Sequence, residues 1–140
     1  MNDEQPLLTL DIQAVNAFMA VIGVCVEETL QRVGITVQQD RYNVQLALHE
    51  IAVNIVNHAY AGRSDGRIRL SVYYAAESRC MTFELLDTGT GFDPNAVAEP
   101  DLDTLPEHGL GLMLAYSLMD RVEYTCAGTF NRWRMIKTFK

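Results

Sequence analysis

Residues 48–62 read LHEIAVNIVNHAYAG, an apolar run interrupted by Glu50, Asn54, Asn57 and His58. Helical residues advance by roughly 100° each, so from Glu50 as origin Asn43 falls near 20°, Asn54 near 40°, Asn57 near −20° and His58 near 80°. The polar side chains thus share a stripe about 100° wide, while Val44, Leu48, Ile51, Val53, Ile55 and Val56 cover most of the remainder. Helix faces turned to water are common, and they carry Lys, Arg and several Glu. This stripe holds one carboxylate, carboxamides and an imidazole instead. Such a set suits a metal–phosphate site: a neutral amide oxygen can ligate Mg²⁺, and a lone Glu can take a proton.

Two glycine motifs lie downstream. DTGTGFD follows a strand-like stretch, which places Asp87 at a strand end with Gly89 and Gly91 just beyond it. Glycine there permits a positive φ and a close backbone approach to a flat ligand, although hairpin turns also use Asp and Gly. HGLGL, residues 108–112, opens an apolar helical stretch. Gly109 and Gly111 leave backbone N–H groups open to an anion, and a helix N-terminus adds partial positive charge.

The elements that must position these residues follow from the hydrophobic pattern. PLLTLDI reads as an opening strand, and residues 14–34 read as a helix with Gly34 as its stop. A second helix begins near Asp40 as N-cap and ends at Gly62. RIRLSVYYAAE and CMTFELLD form a hairpin turning at Ser78 and Arg79. After a long acidic segment with Gly and Pro, residues 110–120 read as a helix, and RVEYTCAG and FNRWRMIKTF close the chain as strands. This order predicts one α+β domain over residues 1–140: a two-layer sandwich with a mostly antiparallel sheet covered on one face by helices.

Bulk composition narrows the function. A net charge of −7 argues against nucleic acid as a direct partner, because phosphate binding needs clustered Lys and Arg. Cys25, Cys80 and Cys126 are odd in number and widely spaced, as reduced cytosolic thiols are. AFMAVIGVCV is too short to span a bilayer, and the N-terminus lacks a secretion signal's pattern, so a soluble cytoplasmic protein is expected, with no membrane partner.

Taken in order, the Glu–Asn helix, the strand with DxGxG, the acidic segment and the GxG helix resemble the anti-sigma factor serine/threonine-protein kinase family. That family lies within the histidine-kinase-like ATPase superfamily, the Bergerat ATP-binding fold, shared with gyrase and Hsp90. The similarity runs from the first helix to the last strand. It implies ATP and Mg²⁺ as cofactors, Glu50 as catalytic base and Asn54 as Mg²⁺ ligand. His58 would complete the polar wall, Asp87 would accept the adenine amino group, and Gly89 and Gly91 would leave room for the base. Residues 93–108 would close over the phosphates, with Gly109, Leu110, Gly111 and Leu112 supplying amides. Asn131 would stand on the adenine side, with Thr129 competing for that place.

The resemblance also implies partners: an anti-sigma antagonist protein as phosphoacceptor, a sigma factor to sequester, and a second copy in a homodimer. Glu at position 50 favours a Ser or Thr hydroxyl as acceptor, whereas histidine-kinase catalytic domains commonly carry Asn there. Two alternatives stand beside it, a nucleotide-gated anti-sigma binding module without kinase activity and a detached histidine-kinase catalytic domain. The departure from the family pattern is charge: no Lys or Arg occurs between Arg79 and Arg121, while Asp93, Glu99, Asp101, Asp103 and Glu107 do. Phosphate charge would then rest on Mg²⁺, backbone amides and the helix terminus, with His108 as an aid. Trp133 reads as core on strand patterning, Cys25 as a buried small side chain, and His49 as lying off the polar stripe.

Overall fold

The computed structural model describes residues 5–61, 63–90 and 107–140, the first four of the last stretch by backbone alone. Five strands form one sheet: β1 (Leu8–Gln13), β2 (Arg67–Ala75), β3 (Cys80–Asp87), β4 (Arg121–Cys126) and β5 (Asn131–Thr138). They lie in the order β1-β2-β3-β5-β4, and every neighbouring pair is antiparallel. Among the described residues, three α-helices, α1 (Met19–Arg32), α2 (Gln38–Asn54) and α3 (Glu107–Leu118), complete the α+β architecture.

Strand alternation decides what faces the helices. Successive strand residues point to opposite sides, so Met81, Phe83, Leu85 and Asp87 of β3 are buried while Thr82, Glu84 and Leu86 are half-buried on the other face. In β5 the buried set is Asn131, Trp133 and Met135. The β3–β5 register sets Leu85 opposite Trp133 and Asp87 opposite Asn131. The apolar rows thus run into a polar pair at one end of the sheet, on the face the helices cover. Trp133 belongs to the core, as its strand position predicts.

Helix α2 packs against both α1 and α3. Its Val44, Ala47, Leu48, Ile51 and Ala52 are buried. Glu27 of α1 accepts hydrogen bonds from Arg41 Nε at 2.6 Å and Gln45 Nε2 at 2.7 Å, which pins the first helix to the second. The buried positions of α2 face its neighbours, whereas Gln38, Gln39, Tyr42 and His49 are exposed.

Several boundaries move from their sequence positions. Residues 16–18 form a 3₁₀ turn and α1 starts only at Met19. Helix α2 starts at Gln38, behind an extended Val37 whose side chain makes no cap; Asp40 sits in the first turn, where its charge favours the helix N-terminus without capping it. The three cysteines are free thiols. Among the described residues no helix is long and apolar enough to cross a membrane.

Candidate active site

Glu50 and Asn54 are four residues apart on α2 and therefore project from one side of it. Beyond Asn54 the helix widens into a π-helical turn, Ile55–Ala59, closed by the Tyr60 N–H on the Ile55 carbonyl at 3.0 Å. Such turns recur at functional sites. Glu50, Val53, Asn54, Asn57 and His58 line a cleft of about 360 Å³ together with Gly111 and Leu112 of α3. Sequence periodicity places Asn43 on the same stripe. It lies two turns away, accepts the Gln39 amide at 2.8 Å, and is not part of the cleft wall.

The opposite wall depends on a missing side chain. A Cβ at Gly111 would stand 3.1 Å from Glu50 Oε1, so this glycine lets α3 close down on the carboxylate. Helix α3 begins at Glu107, earlier than its apolar pattern suggests. The N–H groups of Gly111 and Leu112 therefore fall beyond the first turn, whose four amides alone lack intrahelical acceptors. Those two residues shape the cleft rather than offer amides to a phosphate, and the free amides belong to the residues before them. The side chains of 107–110, Gly91 and residues 93–106 of the expected closing segment 93–108 lie outside the described residues, while the backbone of 107 and 108 belongs to α3.

A second cluster sits at the end of β3. Asp87 is 3 % exposed, and its Oδ1 accepts the Gly89 N–H at 2.9 Å and Asn131 Nδ2 at 2.8 Å. Asn131 Nδ2 also donates to the Gly89 carbonyl at 3.0 Å. Among the described residues both donors reach Oδ1 and none reaches Oδ2. Burial pushes the Asp87 carboxyl above its ordinary value, opposed by the bonds from Asn131 and Gly89. Between the two sequence candidates on this side, Asn131 makes the contact, whereas Thr129 is exposed in the β4–β5 turn.

The two clusters are joined through the end of α2. The Thr90 N–H donates to the Ala59 carbonyl at 2.7 Å, one residue past His58. Gly89 is forced by that approach, for a Cβ there would run into the Ala59 carbonyl oxygen and carbon. It does not take a positive φ. The space it makes is filled by backbone, a use that its DxGxG motif does not reveal. Sequence periodicity puts Asn57 in the polar stripe without a role of its own and Val53 on the apolar side, and it carries no signal for Tyr60.

The donor set also bears on a metal. Among the described residues no three His, Cys, Asp or Glu side chains converge. Mg²⁺ bound with a nucleotide needs only one or two protein oxygens, the rest coming from phosphates and water. The Asn54 amide, beside the Glu50 carboxylate, fits that role.

A family model described as the histidine kinase-like ATPase domain matches residues 12–137. The chain belongs to this family. Within it, the chain is 32% identical to the serine-protein kinase RsbW of Halalkalibacterium halodurans, over 88% of this chain and 78% of that protein. It is 28% identical to RsbW of Bacillus pumilus, over 88% of this chain and 80% of the relative. Both place it on the serine-protein kinase branch of the histidine kinase-like ATPases. The crystal structure of the RsbU and RsbW domains of a Mycobacterium tuberculosis protein shares the fold, with a TM-score of 0.67 at 18% identity, covering 95% of this chain and 33% of that one. The catalytic domain of histidine kinase ThkA does so with a TM-score of 0.55 at 9% identity, covering 94% and 97%.

Proposed function

We propose that this protein uses ATP to phosphorylate a serine or threonine of a small anti-sigma antagonist, and that it sequesters a sigma factor until the antagonist's phosphorylation state releases it. The observation that carries this reading is the convergence of Glu50, Asn54, Asn57 and His58 with Gly111 on one cleft, tied to a buried Asp87 by the loop that follows it, whose Thr90 N–H bonds the Ala59 carbonyl. Asp87 Oδ2 accepts the adenine N6 amine. Asn131 acts through Asp87, since its amide protons are spent on the carboxylate and on Gly89. Glu50 takes the proton of the attacking hydroxyl as its oxygen bonds the γ-phosphorus and ADP departs. Mg²⁺, when bound, supplies charge neutralisation to the phosphates. Asn54 holds it by its amide oxygen, and His58 continues the polar wall.

Net charge supports the metal's part. A chain of −7 with five carboxylates and no cation between residues 92 and 108 offers polyphosphate little compensation of its own. Nucleotide affinity is therefore expected to depend steeply on Mg²⁺. Asn54→Ala should weaken ATP binding by about tenfold or more in Mg²⁺, the loss of one charge-assisted contact, and change little in excess EDTA. Calorimetry in both buffers checks this; equal losses in the two would remove Asn54 from the metal.

The partner reading is tested with labelled ATP and the cognate antagonist, where acid-stable phosphoserine or phosphothreonine is the expected product. The acidic segment favours a second reading, a nucleotide-gated binding module, and a complex that forms without any phosphoprotein would select it. Acid-labile phosphohistidine would select the histidine-kinase reading. The exposed Phe18 of the 3₁₀ turn, with Val21 and Val24 of α1, forms an uncovered apolar flank, which supports association with a second copy. The cytoplasm, where sigma factors act, is the compartment consistent with this role.

A further inference from the structure

Tyr60 is 2 % exposed, yet its hydroxyl is the hub of a polar knot. It donates to the Arg67 carbonyl at 2.6 Å and accepts the Thr88 N–H at 2.9 Å, with Thr88 Oγ1 a further 3.4 Å neighbour. These partners come from the first residue of β2 and the residue immediately after Asp87. On the other side Tyr60 closes the π-helical turn that carries Asn57 and His58. Its neighbour Ala59 receives the Thr90 N–H. Among the described bonds, the 88–90 loop is therefore fastened to the end of the π-helical turn at two points, Tyr60 and Ala59, and only the Tyr60 bond depends on a side chain. Gly66 is shaped around the same ring, because a Cβ there would meet it at 2.5 Å.

We propose that Tyr60 is a positioning residue for nucleotide recognition: its hydroxyl fixes the loop after Asp87 against the π-helical turn beyond α2, and so aims Asp87 Oδ2 at the adenine amine. The proposal rests on the reading of Asp87 as the adenine acceptor. The backbone atoms that Tyr60 holds belong to the residue adjoining Asp87, and Gly89, which donates to Asp87, lies between the two fastening points. Loss of the hydroxyl leaves the Thr88 N–H and the Arg67 carbonyl without their partner. The loop then shifts to find others, and the carboxylate shifts with it.

The discriminating experiment compares ATP with purine riboside triphosphate, which lacks the N6 amine, by calorimetry on the wild type, Tyr60→Phe and Asp87→Asn. Phenylalanine keeps the ring and its packing, and a ratio of two dissociation constants does not depend on how much of the sample is folded. The wild type should prefer ATP, and Tyr60→Phe should reduce that preference by about tenfold, the worth of one hydrogen bond aimed correctly. Equal weakening of both nucleotides, or full retention of the preference, overturns the role of Tyr60 while leaving Asp87 intact. A wild type with no preference, matched by Asp87→Asn, overturns the Asp87 reading itself and this one with it.

Discussion

Glu50→Gln lowers phosphoryl transfer by about 10²–10⁴-fold, the usual contribution of a positioned general base, while ATP affinity stays close to that of the wild type. Glutamine matches glutamate in size, which matters because Gly111 leaves room for this side chain and little more: the nearest carboxylate oxygen would be 3.1 Å from a Cβ at that position. The substitution removes the capacity to take a proton and leaves the cleft's shape alone. Single-turnover transfer from γ-labelled ATP to the antagonist reads the loss, and nucleotide titration reads the retained binding. Equal transfer rates in variant and wild type would strip Glu50 of its role. A parallel fall in ATP affinity would instead make it a binding residue, to be judged against Asn54→Ala.

How much of this was legible beforehand depended on whether a feature was local. The α2 stripe could be read because helical periodicity alone brings Glu50 and Asn54 to one side, and the order of motifs supplied the family. The strand end at Asp87 was likewise legible from the local pattern, and alternation puts Asp87 on the same face as Met81, Phe83 and Leu85. Its partner did not. Asn131 is 44 residues away, and the β3–β5 pairing that brings it opposite Asp87 skips β4 in the sheet. The π-helical turn was invisible because periodicity assumes a constant advance per residue. The docking of Thr90 and Gly89 on Ala59 is a long-range backbone contact, for which a glycine in sequence gives no direction. The α3 start differed because Glu107 and His108 are polar and were assigned to the preceding segment, whereas backbone hydrogen bonding needs no apolar side chain.

Asp87→Asn is expected to separate stability from binding. The Gly89 N–H and Asn131 Nδ2 both point at Oδ1, so an asparagine here keeps its carbonyl oxygen toward them and turns its NH₂ to where Oδ2 stood. That NH₂ then faces the adenine amine, donor against donor. Losing a hydrogen bond to a charged acceptor and gaining a mismatch weakens ATP binding by about 100-fold. The apo protein behaves in the opposite sense. Because burial raises the folded carboxyl above its ordinary 3.8, the folded state holds this proton more tightly than the unfolded chain does, and stability falls as pH rises through that window. Asparagine has no proton to lose. The apo variant should therefore unfold at a higher temperature than the apo wild type at neutral pH, and the gap should close as acid protonates Asp87. Saturating Mg²⁺–ATP should reverse the order, since ligand stabilisation grows with affinity and the wild type binds more tightly. Melting curves with and without nucleotide, taken across the acidic range, test all three parts. Undiminished ATP affinity would refute the adenine role, and a stability gap indifferent to pH would show that the buried carboxylate is not strained by its surroundings.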